Sequence, residues 1–135
     1  NMLFNRETDY ALRVIKNLHT DIPTSISSLA EGEFISEAIA YKVARKLDKG
    51  GLVKSMRGSN GGYMLTRPLT DITLFDVYQI MEPNSFVNEC LRGNSNCPVN
   101  TGHSPCMIHA EFCRVQNNLN NDLKRRSLAD IIAAK

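Results

Sequence analysis

"SEAIAYKVARKLDKGGLVKSMRGSNGGYMLTR", residues 36–67, decides the fold of this chain. Its first half opens on Ser36, a residue type that satisfies an open N–H at a helix start, and sets Ile39, Val43 and Leu47 four residues apart. That spacing lines the three apolar side chains along one helical face, and Gly50-Gly51 supplies the break that ends the helix. The second half changes period. "LVKSMR" alternates loosely as a strand, "GSNGG" is a turn cluster and "YMLTR" is a second strand, which together predict a β-hairpin. Lys54 and Arg57 fall on its outward strand and Ser59 and Asn60 at its tip, while Gly58, Gly61 and Gly62 let that tip approach another backbone.

Upstream, "DIPTSISSLAEGE" breaks at Pro23 and predicts a short helix with Ile26, Leu29 and Ala30 on one side and Gly32 near its end. Before it, "ETDYALRVIKNLHTD" carries Ala11, Val14, Ile15 and Leu18 at helical spacing, with His19 near the C-terminus of that helix. Two short helices joined by a tight turn, the second basic, followed by a glycine-tipped hairpin, read as a winged helix-turn-helix. A plain hairpin beside a helical pair is the alternative, but the order of elements is more specific than that. "ITLFDVYQIME" adds a helix capped by Thr73 with Asp76 three residues on, its Leu74, Val77, Tyr78 and Met81 closing the core, and Pro83 ends it. The expected class is mainly α with a small β-hairpin wing.

Residues 84–104 predict a long loop, a feature that in compact domains is usually functional or disordered. Ser104 and Pro105 are expected to cap and open a long helix. Along it Ile108, Phe112, Val115, Leu119 and Leu123 share one sector, and Cys106, His109 and Cys113 share another, about 110° around the axis. "SLADIIAA" predicts a short last helix capped by Ser127. The expected units are residues 2–83, the winged helix-turn-helix, and 84–135, the cysteine-bearing loop with the long helix.

The 135 residues suit one domain, and 42% hydrophobic with 22% charged residues is an ordinary soluble balance. No apolar run approaches the roughly 18 residues that cross a bilayer. "NMLFNRETDY" has no basic leader or cleavage site, so the expected location is the cytoplasm, and Asn1 reads as a residue left by a tag. The net charge of +2 is uneven: residues 36–67 hold seven Lys/Arg against Glu37 and Asp48, a net of +5, which leaves −3 elsewhere. A local basic block suggests a surface facing a polyanion, or simply a solvated helix face. There is no phosphate-cradling glycine loop, no H-E-x-x-H and no nucleophile–base pair, so no catalytic residue is assigned and an enzyme is not expected.

"ISEAIAYKVARKLDKGGLVKSMRGSNGGYMLTRPLTDITLFDVYQIME", preceded by "DYALRV" and followed at the end by "SLADI", resembles the bacterial winged helix-turn-helix regulator family that includes IscR, NsrR and CymR. "GLVKSMRGSNGGY" is the most specific part of the likeness. The resemblance implies a transcriptional regulator, read as a repressor, that forms a homodimer through the long helix and binds palindromic double-stranded operator DNA. Lys42, Arg45 and Lys46 would meet phosphates, which position without reading sequence. Ser36, Glu37, Ala38 and Tyr41, at the start of the recognition helix, would face base edges, with Ser59 and Asn60 at the wing tip. Arg57 resembles the family's wing arginine, which enters a narrow minor groove. Ala38 and Tyr41 depart from the more polar readers of IscR, which implies a different operator.

All four cysteines lie between Cys90 and Cys113. Clustered thiols in a reducing compartment suggest metal or redox chemistry rather than a disulfide scaffold. Members of the family that carry an iron–sulfur cluster have three cysteines in this region, and Cys90, Cys97 and Cys106 match their order. His109 stands where IscR places its fourth ligand. The spacings Cys90-x6-Cys97-x8-Cys106 are wider than the family's usual ones. Cys113 is extra and could replace His109; Asp9 and Glu7 sit where other members recruit a carboxylate from the partner subunit. Zinc is the first alternative, though no C-x2-C knuckle is present. A thiol switch joining Cys106 to Cys97 is the second, cysteines serving only as small core residues are the third, and His103 is a spare ligand candidate.

Overall fold

A computed structural model describes residues 3–93 and 97–133. Asn1, the ends of the two expected units at 2 and 135, the last alanine expected in the terminal helix and the middle of the long loop at 94–96 lie outside them.

Helix α1 (Arg6–Lys16) starts where Asn5 accepts the Thr8 N–H, which satisfies one of the open donors at a helix start. α2 (Ile26–Gly32) and α3 (Glu37–Lys49) use Ser25 and Ser36 in the same way. All three helices bury one stripe: Ala11, Val14 and Ile15; Ile26, Leu29 and Ala30; Ala40, Val43, Ala44 and Leu47. The stripe of α3 corrects the expected one, because Ile39 stays 37% exposed. α3 packs against α1 and α2 together, and the alanines at 40 and 44 fit that double contact where an isoleucine would not.

The wing is an antiparallel pair, β1 (Val53–Met56) and β2 (Gly62–Leu65), in register Val53↔Leu65 to Met56↔Gly62. Thr24 and Tyr63 exchange backbone hydrogen bonds of 3.0 and 2.9 Å, so β2 of the wing is tied to the entry of α2. Gly62 makes that tie possible: its φ is +153°, and a Cβ there would run into the Thr24 carbonyl. α4 (Leu74–Met81) has the expected capping box, Thr73 with Asp76, and buries Val77, Tyr78 and Met81, with Leu74 half-buried against the core.

Beyond α4 the described residues include a 3₁₀ turn (Glu89–Leu91) before α5 (Met107–Leu123). α5 begins two residues later than the expected Ser104-Pro105 start, and Cys106 occupies its cap position. Ser104 is held instead in a turn with Thr101, whose hydroxyl accepts the Ser104 N–H at 2.9 Å. After α5, α6 (Leu128–Ala133), capped by Ser127, crosses back to the winged-helix core. Leu128 is buried there, and its N–H donates to the Ile72 carbonyl at 2.8 Å.

Candidate nucleic-acid interface and cysteine loop

The exposed side of α3 and the wing tip form the basic face. Glu37, Ala38, Lys42 and Arg45 are exposed on α3; Arg57, Ser59 and Asn60 are exposed at the wing. Two expected readers are committed elsewhere. The Ser36 hydroxyl accepts the Ile39 N–H at 3.2 Å as the helix cap, and Tyr41 is half-buried against the core. Lys42 and Lys46 are committed as well: Lys42 Nζ lies 2.8 Å from Glu7 Oε1 and Lys46 Nζ 2.7 Å from Glu7 Oε2. Those two ammonium groups, Lys42 first, hold the Glu7 carboxyl below the ordinary carboxylate value against the opposing effect of burial. Arg45 and Arg57, like Lys49 and Lys54, have no ion-pair partner among the described residues and are uncommitted cations.

The cysteine region combines side-chain anchors with the 3₁₀ turn that holds Cys90 and with α5, which carries Cys106 at its cap and Cys113. Tyr78 donates its hydroxyl to the Ser85 carbonyl at 3.2 Å, and Gln116 on α5 accepts the Val87 N–H at 2.9 Å. Those bonds hold the start of the loop between α4 and α5. Cys90 follows, its sulfur accepting from Asn88 Nδ2 at 3.1 Å. Farther on, the Asn100 N–H donates to the Cys97 carbonyl at 3.1 Å and Asn100 Oδ1 accepts the Cys106 N–H at 2.8 Å. One asparagine therefore links the Cys97 and Cys106 segments at the head of α5.

All four cysteines are unpaired thiols of intermediate burial. His109 and Cys113, one turn apart on α5, meet with Nε2 to Sγ at 3.4 Å, and the other ring nitrogen of His109, Nδ1, is buried without a hydrogen-bond partner among the described residues. Among the described residues no three His, Cys, Asp or Glu side chains converge as a metal site. Of the alternative carboxylates, Glu7 is held by the two lysines and Asp9 pairs with Arg13 at 2.9 Å. In kind these donors fit an iron–sulfur cluster: free thiols, and an imidazole that meets the Cys113 thiol and whose buried Nδ1 has no partner among the described residues.

A family model named Rrf2 and described as "Iron-dependent Transcriptional regulator" matches residues 4–134. The chain belongs to the Rrf2 family. Protein aau3 of Rhizobium meliloti is 29% identical over 99% of this chain and 87% of its own length. YwgB of Bacillus subtilis, whose name describes an HTH-type transcriptional regulator, is 27% identical over 90% of this chain and 76% of its own. In three dimensions the chain is similar to CymR, the global cysteine regulator of B. subtilis, with a TM-score of 0.70 and 25% identity over 97% of this chain and 96% of that one. It is similar also to IscR of T. potens, with a TM-score of 0.69 and 26% identity over 96% and 85%. This Rrf2 chain is thus a DNA-binding transcriptional regulator and not an enzyme. Among its described residues no helix is long and apolar enough to cross a membrane.

Asn88, Asn100 and Gln116 were not singled out from the Rrf2 sequence alone. They lie in segments where asparagine and glutamine are common, and only the folded loop shows which sulfur or backbone group each meets. The sequence offers Glu7 as a spare ligand; that it meets two lysines of α3 depends on where α1 crosses that helix.

Proposed function

We propose that the chain is a homodimeric repressor that binds a two-fold symmetric operator and adjusts its affinity through an iron–sulfur cluster. Residues up to 83 form the DNA-binding unit, and 84–135 form the sensing and pairing unit. Cys90, Cys97 and Cys106 would hold the cluster, with His109 as the fourth donor. The observation that carries this reading is the buried His109 Nδ1 without a partner among the described residues, in the first turn of the helix that Cys106 caps. When bound, such a group supplies a centre that gains or loses electrons and reacts with oxidants or nitric oxide. The chain's own residues do the rest. Asn88 orients the Cys90 sulfur, Asn100 ties the Cys97 and Cys106 segments together, and Gln116 couples the loop to α5.

Pairing through α5 is supported by its exposed apolar residues, Met107 at 79% and Ile108 at 68%. Two copies of α3 then meet successive major grooves, about one helical turn apart, and demand a palindrome. A change in the loop at the head of α5 alters the spacing of the two recognition helices, which is how the signal reaches the DNA.

One observation favours a second reading. Asn100 brings the segments of Cys97 and Cys106 to the same turn, so a peroxide oxidant could join them. The two thiols lose two electrons and two protons as the S–S bond forms, and the peroxide is reduced to water.

The test is anaerobic purification followed by an absorption spectrum and iron, sulfide and zinc counts per chain. Visible charge-transfer bands with matching iron and sulfide support the cluster. Colourless protein lacking iron and sulfide after attempted reconstitution overturns it. A Cys97–Cys106 disulfide after peroxide, found by peptide mapping, would then support the switch. Operator affinity unchanged by Cys97→Ala with Cys106→Ala, in loaded and stripped protein alike, removes both.

A further inference from the structure

Two lysines on the DNA-facing side of α3 share one carboxylate. Glu7 Oε1 meets Lys42 Nζ at 2.8 Å and Glu7 Oε2 meets Lys46 Nζ at 2.7 Å. The lysines are one helical turn apart, and the carboxylate presents one oxygen to each, as two non-bridging oxygens of a phosphate would. Both cations remain within reach of solvent, their side chains 59% and 42% exposed against 28% for Glu7. A DNA phosphate can therefore approach the same two ammonium groups, and it competes there with an anion that belongs to the protein.

We infer that Glu7 is a specificity-determining residue, an internal competitor for DNA phosphate that restrains Lys42 and Lys46. The inference rests on the reading of α3 as the DNA-facing helix. Binding to arbitrary duplexes draws essentially all its affinity from phosphate contacts, whereas an operator adds contacts to base edges. A restraint on lysine–phosphate contacts therefore falls most heavily on DNA that offers nothing else. Arg45 and Arg57, without such a carboxylate among the described residues, are free to anchor either kind of DNA.

The test uses the full chain and a fluorescent 24-base-pair duplex of random sequence, with affinity measured across a salt series. Glu7→Gln keeps the size of the side chain and removes its charge. It is expected to tighten random-duplex binding about tenfold near 0.1 M salt and to steepen the log–log salt slope by about one to two. Adding Lys42→Ala and Lys46→Ala to Glu7→Gln should erase the gain. Glu7→Asp, too short to span both lysines, should give a smaller gain, and it serves as the measured variant if Glu7→Gln does not fold by circular dichroism. Unchanged or weakened binding by a folded Glu7 variant, while Lys42→Ala with Lys46→Ala weakens binding, overturns the inference but leaves the reading of α3 standing. Should removing both lysines from the Glu7→Gln chain change neither affinity nor slope, the reading of α3 fails, and the inference with it.

Discussion

The Thr8 hydroxyl donates a 2.6 Å hydrogen bond to Glu82 Oε2, a residue 74 positions later in the chain. Thr8 is buried in the first turns of α1 and Glu82 caps the C-terminus of α4, so the bond fixes the point at which the cysteine loop leaves the winged-helix core. Thr8→Val keeps the shape of the side chain and removes the donor, leaving the carboxylate short of one partner. The expected cost is about 2 kcal/mol, the usual worth of a hydrogen bond to a charged group, read as a lower urea midpoint at constant slope. Thr8→Ser should remain close to the parent. A Thr8→Val midpoint equal to that of the parent would mean that water replaces the hydroxyl at no cost.

Much of this architecture was legible in the residue pattern because its causes are local. Ser36, Thr73 and Ser127 cap the helices expected of them, the apolar stripe of α1 is the one its spacing predicts, and glycines close the wing. The misreadings share a different cause. Ile39 has the right spacing for a core residue, but two helices press on α3 at once and select Ala40 and Ala44. Ser104-Pro105 has the right chemistry for a helix start, but Thr101 and Asn100 capture that segment first. The pairing of Glu7 with Lys46 spans 39 residues and exists only because α1 crosses α3, a relation that neither local sequence carries. In the cysteine region the sequence offers thiols and an imidazole, but the asparagines that meet Cys90 and link the Cys97 and Cys106 segments follow from the folded loop.

Phe34 sits in the turn of the helix-turn-helix with φ +57° and is 95% exposed. A left-handed backbone is costly for any residue with a Cβ, more so for a bulky one, and here no burial of the ring offsets it. The flanking residues enforce the conformation: the Glu33 carboxylate is held by Asn17 at 2.8 Å and Lys16 at 3.1 Å, and Ile35 is buried. Phe34→Gly is therefore expected to stabilise the fold by about 1 kcal/mol, the strain relieved exceeding the added freedom of the unfolded chain. Thermal unfolding measures it. A lower melting temperature would show that the ring has a partner worth more than the strain.

Ile108 projects from the first turns of α5, 68% exposed, in the sector shared with Phe112, Val115 and Leu119. In the proposed dimer that sector is the seam. Ile108→Glu should leave the helical circular dichroism intact, because an exposed substitution costs a single chain within about 0.5 kcal/mol. Across a two-fold seam it places a carboxylate in an apolar contact on each side. Sedimentation should then show monomer at concentrations where the parent pairs, and operator affinity should fall by at least about tenfold with the loss of the second half-site. Parent and variant sedimenting alike would place the pairing surface elsewhere.

Glu7 and Glu33 give the fold a defined response to acid. Lys42 and then Lys46 hold the Glu7 carboxyl below the ordinary value of 4.5. The Asn17 amide, and after it Lys16, does the same for Glu33, with partial burial opposing. A carboxylate whose folded pKa is depressed binds fewer protons folded than unfolded, so its stabilising effect is whole above the unfolded value and is lost as pH falls through the folded one. Glu111 is also lowered, by Arg114, but that pair stands fully in solvent, where screening leaves it little weight. The urea midpoint is thus expected to be nearly flat from pH 7 to about 5 and to drop below 4.5, the ordinary value from which both groups are lowered. Glu7→Gln with Glu33→Gln should lower the midpoint at pH 7 and flatten the acid limb relative to the parent. Identical acid limbs in the two proteins would assign the loss of stability to other carboxylates.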